Sequence, residues 1–352
     1  GVVQLSYYDE GVGTRWNDRL RGGWVGKGLS DNVRQAYQWL MEHYDEGDEI
    51  YLFGFSRGAF TARSLAGMLS KCGLLRPGAP MPVHQLFDRY NSKARPIYQL
   101  PNSSEGRDDL SLEDIWIVEY SRRTRVTFIG VWDTVSALGA RLWRRGIEAR
   151  GEHDAHFVRL SSSFDHAVQA LAIDEHRKPY LPALWYRYIP QAKPDLAHEP
   201  PPVVEQRWFA GAHSQVGGGY RGDELAQLPL GWIQKKAVGV GLHFRYDVPL
   251  TGREHTAPLI DSFADFMKGA YRVLRFGRRT RRPIGRERDS VEGGWVEPVT
   301  ETIDGSVFER WRADPTYRPD NLADWADRRG VDISTLRGAH SVSGGPGTEE
   351  AR

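Results

Sequence analysis

The sequence predicts an α/β fold: a doubly wound, mostly parallel sheet with insertions and a helical C-terminal region. Three features point there. Residues 50–55 are a continuous apolar run, the mark of a strand buried on both faces, and residues 125–132 read as a second buried strand. The first run leads directly into Arg57–Cys72, where Ala59, Ala62, Leu65, Ala66 and Leu69 recur at helical spacing. It is preceded by residues 30–44, which set Val33, Tyr37, Leu40 and Met41 on one side. Helix, buried strand and second helix in succession imply βαβ architecture.

The remaining elements follow in order. Residues 2–8 read as a short strand. Residues 9–27 carry Gly11, Gly13, Gly22, Gly23 and Gly26 and read as loop. Ser30 is placed to cap the next helix, and residues 45–48 close it in a turn. Residues 77–107 are irregular and rich in proline, and an insertion or lid is expected over about 76–122, with a helix at 110–120. Phe157, Leu160, Phe164, Val168 and Leu171 give residues 155–174 a helical reading. Residues 207–209 begin a third short strand, and 225–238 read as helix. From Ala270 onward, Arg272, Arg275, Arg278, Arg279, Arg281, Arg282, Arg286 and Arg288 form a basic run. It reads as a solvated stretch, with contact to anionic lipid or nucleic acid as the alternative.

Composition excludes several classes. The 47 basic and 46 acidic residues leave a net charge of +1, so no nucleic-acid partner is expected from charge. A single cysteine, Cys72, rules out an intrachain disulfide framework and a cysteine zinc cluster. No apolar run reaches the length of a membrane span. The start lacks Met and a signal-peptide pattern and reads directly into a strand, as a fragment or trimmed chain would. The expected location is cytoplasmic, or outside the cell by a signal-independent secretion system.

The chemistry begins at Gly54-Phe55-Ser56-Arg57-Gly58, a Gly-x-Ser-x-Gly match. Its context is what makes it specific: an apolar strand before it and a helix of small residues after it. The turn between them is sharp, so small residues are expected two before and two after the serine, as Gly54 and Gly58 are. Ser56 would sit at a helix N-terminus, where N–H groups and the helix dipole favour developing negative charge. The Arg57 N–H would be one oxyanion donor. The plainer reading is an N-cap serine.

In α/β-hydrolases the acid follows the serine and the histidine comes last. Asp133 ends the apolar run at residues 125–132, where such sheets place active residues. Asp174 is its rival. His213 follows the segment Trp208-Phe209-Ala210-Gly211-Ala212 and precedes Gly217-Gly218-Gly219, a loop that lets backbone approach closely. It would take the Ser56 proton while Asp133 holds its tautomer. His153, His156, His166 and His176 are weaker candidates. His153, Asp154 and His156 match no strong ligand motif, so no metal and no cofactor are expected.

These segments resemble DUF2235, an uncharacterised α/β-hydrolase domain family that includes catalytic domains of type VI secretion phospholipase effectors. The resemblance rests on Tyr7-Tyr8 with Gly11 to Thr14, Tyr51 to Arg63, Gly130 to Val135, Asp174-Glu175 with Lys178-Pro179, Trp185, and Trp208 to Tyr220. It spans roughly residues 5–235, with weaker similarity around Tyr317 to Leu322. It implies Ser56, Asp133 and His213 as a triad and a lipase or esterase activity, on phospholipids in the effector branch. Family members usually carry an upstream Asp-Gly-Thr strand, whose loop could give a second oxyanion donor, and an aspartate after His-Ser, where this chain has Gln215.

The expectation is therefore a serine hydrolase cleaving carboxylic esters, a bacterial (phospho)lipase or esterase working through an acyl-enzyme. The alternatives are a non-catalytic hydrolase-like module of a secreted effector, or an amidase or peptidase. Expected partners are a lipid or ester substrate, a membrane surface and the secretion machinery. The expected domains are a catalytic domain at 1–245, a C-terminal helical accessory region at 246–337 and a disordered tail at 338–352.

Overall fold

The computed structural model describes residues 3–11, 22–101, 109–135, 164–192, 203–285, 289–291 and 293–342. A six-stranded sheet organises them. Its strands are β1 (Tyr51–Phe55), β4 (Val126–Trp132), β5 (Phe164–Ala172), β7 (Val203–Phe209), β10 (Glu301–Ile303) and β11 (His340–Ser341), in that spatial order. The first five are parallel, and β11 closes the edge antiparallel to β10. The β1–β4 register sets Phe55 opposite Trp132, so both strands end together. A cleft is lined by β1 along its length and by Trp132 at the end of β4.

Helices cover both faces. Alternate residues of β4 explain why: Ile129 and Val131 face one core and Phe128 the other. On the first side, α1 (Gly22–His43) and α2 (Arg57–Cys72) bury Tyr37, Leu65, Met68 and Leu69. On the second, Trp232, Ile233 and Ala237 of α6 (Gln227–Val238) pack on Phe128 and Val168. The fold is thus mixed α/β with a mostly parallel central sheet. Among the described strands the order follows the chain order, with no reversal of the kind that defines a doubly wound sheet; the mostly parallel sheet and the two-sided helical cover match the expectation.

Several expectations are corrected. Residues 164–172 are not helix but β5, at the centre of the sheet, and 155–163 lie outside the described residues. Both faces of β5 are buried, so its apolar residues need not alternate, and Phe164, Val168 and Leu171 mimic a helical stripe. Residues 3–8 form no strand, and Val3 and Leu5 stay exposed, so no burial drives pairing there. The Gln4 side chain instead bonds both backbone polar groups of His243. α1 begins at Gly22 inside the expected loop, so Ser30 lies within the helix and is no cap.

The segment expected as insertion or lid holds α3 (Val83–Asn91) and α4 (Leu112–Tyr120), and a short β2–β3 pair (Leu74–Leu75 with Ser121–Arg122) flanks it. Leu86, Tyr90, Ile97 and Ile117 are buried in the core shared with α1 and α2. None of its described residues lines the cleft, so this part is core rather than cover.

The C-terminal region is mixed, not helical. It supplies β10 and β11 to the main sheet and β8 (Asp289–Val291) and β9 (Gly294–Pro298) to a second sheet with β6 (Tyr186–Pro190). Its helices α7 (Gly305–Ala313) and α8 (Asp320–Arg329) bury Val307, Phe308, Leu322 and Trp325 against Leu171 and Trp208. Sheet and core therefore run across residue 245. The expected disordered tail begins ordered, with His340–Ser341 in the sheet; residues 343–352 lie outside the described residues.

Candidate active site

Ser56 sits between β1 and α2 with φ 59°, a left-handed backbone conformation unusual for serine. Two things hold it there. Its N–H donates to the Trp132 carbonyl at 2.9 Å, and the chain must reverse at once into α2. The Ser56 side chain makes no capping bond to α2, so the N-cap reading fails. Its Oγ instead donates to His213 Nε2 at 2.8 Å. Arg57 opens α2, where an N–H has no intrahelical acceptor, and it lines the cleft.

The two elbow glycines are not equivalent. A Cβ on Gly54 would lie 2.4 Å from the Gly58 carbonyl oxygen, so β1 and α2 can approach only because it is absent. A Cβ on Gly58 would meet nothing within 4 Å.

His213 opens α5 (His213–Gly217), a short helix, and is buried. The Phe55 ring lies 4.6 Å from the imidazole, and the Tyr180 ring meets it edge-on at 4.8 Å. Gly217 is required beside them: a Cβ there would fall 2.0 Å from the Phe55 ring. His213 Nδ1 donates to Asp133 Oδ2 at 2.5 Å. Asp133 follows β4 directly and is also left-handed, with φ 42°. Its Oδ1 accepts the Ala172 N–H at 3.1 Å.

Asp133 is fully buried, which pushes its carboxyl up. The charge of Arg282, then the His213 hydrogen bond, outweigh burial and hold it at about 2. Arg282 reaches both carboxylate oxygens, Oδ1 at 2.6 Å and Oδ2 at 2.8 Å. It was expected in a solvated basic stretch, yet only 1% of its surface is exposed. No local signal marks it: its partner lies 149 positions away and its neighbours are also arginines.

Beneath His213, Glu175 accepts from the His213 N–H at 3.3 Å and Ser262 Oγ at 3.0 Å, and pairs with Arg177 at 2.7 Å. Burial raises the Glu175 carboxyl, but the Arg177 hydrogen bond and charge hold it at about 2. Arg177 lies 3.8 Å over the Tyr180 ring and lines the cleft.

The rival Asp174 does not meet the histidine. It accepts from the Gly211 N–H at 2.7 Å and the Tyr317 hydroxyl at 3.2 Å, and burial raises its carboxyl. Gln215 is a bridge: its Oε1 accepts from Ala212 and Ile260, and its Nε2 donates to the Pro258 carbonyl at 2.9 Å. A carboxylate could not make that last bond. His166 lies near the start of β5, away from the C-terminal ends of the strands, and His176 faces the Thr280 carbonyl. His153, Asp154 and His156 lie outside the described residues.

Comparison with known proteins places the chain. The family profile for the catalytic domain of type VI secretion, Tle1-like phospholipase effectors matches residues 1–236. The chain belongs to that family. Arg282 and the strands β8–β11 lie beyond the matched residues. An uncharacterised protein of Saccharomyces cerevisiae, YEL023C, is 26% identical over 212 residues, covering 52% of this chain and 29% of that protein. Two solved structures are similar. One is an uncharacterised protein from Pseudomonas aeruginosa, at 18% identity and TM-score 0.32, with 72% of this chain and 32% of that chain covered. The other is the Tle1 effector bound to the VgrG spike, at 20% identity and TM-score 0.26, with 58% and 34% covered. The chain thus spans about a third or less of the length of these relatives. Among the described residues no helix is long and apolar enough to cross a membrane.

Proposed function

We propose that this chain is a serine hydrolase of the α/β-hydrolase type that cleaves carboxylic esters of lipids, phospholipids foremost. The observation that carries the reading is the unbroken relay Ser56 Oγ to His213 Nε2 and His213 Nδ1 to Asp133 Oδ2, at 2.8 and 2.5 Å. Membership of a family of phospholipase effectors supports the lipid substrate.

On this reading Ser56 Oγ attacks the ester carbonyl carbon as its proton passes to His213 Nε2. Asp133 holds the imidazole with Nε2 toward the serine and stabilises the imidazolium. The Arg57 N–H and the positive end of α2 stabilise the tetrahedral oxyanion. Collapse breaks the ester bond, and the alcohol leaves with the proton from His213. An acyl group then remains on Ser56 Oγ. Water, deprotonated by the same nitrogen, attacks it and releases the fatty acid. The catalytic unit extends past residue 245, since β10 and β11 complete the sheet and Arg282 holds Asp133. The family description supports export by a type VI machinery with a component of that machinery as partner, and a phospholipid substrate would bring the chain to a membrane surface.

The test is hydrolysis of an ester panel that includes phospholipid vesicles, read by mass spectrometry of the released fatty acid. Ser56→Ala should abolish release while circular dichroism stays native. Release at the wild-type rate by Ser56→Ala rejects the reading.

A further inference from the structure

We propose that Arg282 is a positioning residue for this site: its guanidinium aims the Asp133 carboxylate at His213 and offsets part of its charge. The inference rests on the proposed function for its catalytic meaning.

The geometry is that of a two-pronged fork. Nη1 donates to Asp133 Oδ1 at 2.6 Å and Nη2 to Oδ2 at 2.8 Å, so the carboxylate plane cannot turn. The fork is itself fixed, because Nη1 also donates to the Ala172 carbonyl at 2.8 Å and Nη2 to the Tyr180 carbonyl. The backbone behind it is fixed too. Asn321 of α8 donates to the Arg282 carbonyl and the Ile173 carbonyl, each at 3.1 Å. A surface ion pair would show none of this. Asp133 is 0% exposed and Arg282 1%.

The charge matters as much as the angle. An ionised carboxylate at 2.5 Å favours the protonated imidazole, and a cation on the same carboxylate weakens that preference. The other charged groups nearby are already matched. Glu175 pairs with Arg177 and also feels the Arg282 charge, and Asp174 is held by Gly211 and Tyr317. His176 faces the Thr280 carbonyl, and Tyr180 presents its ring to His213. Among the described residues Arg282 is the arginine bonded to Asp133, and it sets its charge against that carboxylate.

Two variants separate aim from charge. Arg282→Met removes both; Arg282→Lys keeps the charge and loses the fork. The readouts are NMR titration of the His213 ring, assigned with His213→Ala, and the pH profile of kcat/KM on a soluble ester. Arg282→Met should move the ring titration and the acid limb up together by about one pH unit, a tenfold change in proton affinity. Arg282→Lys should leave both within a few tenths of a unit while kcat falls about tenfold and KM holds. A His213 titration unchanged in folded Arg282→Met, or wild-type kcat in Arg282→Lys, overturns the proposal. If Arg282→Met does not fold, Arg282→Lys decides alone. The ring titration needs no turnover. A protein that titrates as expected yet cleaves no ester would refute the proposed function and leave the Arg282–Asp133 coupling standing.

Discussion

Gly54→Ala should damage this protein far more than Gly58→Ala, although the two glycines flank Ser56 symmetrically in sequence. The added Cβ at Gly54 would lie 2.4 Å from the Gly58 oxygen, 2.5 Å from its carbonyl carbon and 2.7 Å from the Ala59 nitrogen. Comfortable contacts of these kinds are about 3.3 to 4 Å, so α2 must retreat about 1 Å from β1. The obstacle is backbone on both sides, and no side chain can swing away. Ser56 is tied at 2.9 Å to Trp132, and Ala59, Ala62 and Ala66 are packed in the core, so retreat strains both. Overpacking costs about 1 to 3 kcal/mol when side chains can adjust, and this clash belongs at or above the upper end. A shift of 1 Å also stretches the 2.8 Å Ser56–His213 bond out of range, for a loss on the order of 100-fold in kcat/KM. Gly58 is helical and its Cβ would meet open space. Gly58→Ala should gain up to about 1 kcal/mol from helix propensity. Urea denaturation and ester hydrolysis of both variants give the comparison. Wild-type stability and rate in Gly54→Ala, or equal destabilisation by Gly58→Ala, would refute the steric reasoning.

Two further outcomes are expected. Gln206 is wholly buried and bonds the N–H and C=O of Trp185, the Val299 carbonyl and Gln169. Gln206→Leu strands those groups at about 1 to 3 kcal/mol each, so a loss of at least about 3 kcal/mol should lower the urea midpoint at constant slope. Stability should also fall in acid. Asp133 and Glu175 lie at about 2 in the fold against 3.8 and 4.5 when free, so their contribution is complete above pH 4.5 and is lost as pH falls toward 2. Each is worth about 2 to 3 kcal/mol. Asp174, raised by burial, acts in the opposite sense and softens the fall. Thermal melts that stay level from pH 4.5 to 2.5 would contradict this.

The parts of the candidate site that were legible in the sequence are those built locally. A strand, a serine between glycines and a helix of small residues define one sharp turn, and that turn is where Ser56 sits. Asp133 was readable because an apolar strand ends on it, and His213 because a glycine loop follows it. Other parts depend on distant packing. Residues 164–172 carry Phe164, Val168 and Leu171 at helical spacing, and only neighbours on both edges make them a strand. α1 starts through Gly22 and Gly23, residues that read as loop. Arg282 looks like any member of a basic run until the fold carries it to a carboxylate. Both elbow glycines looked equally necessary, yet only Gly54 faces backbone.

The central claim is that Ser56 is an activated nucleophile. The most direct measurement is labelling of the folded protein with a fluorophosphonate, followed by peptide mass spectrometry. The account predicts a single adduct on Ser56, absent in Ser56→Ala and strongly reduced in His213→Ala. Folded wild-type protein that takes no adduct, or takes it equally well without His213, would contradict it.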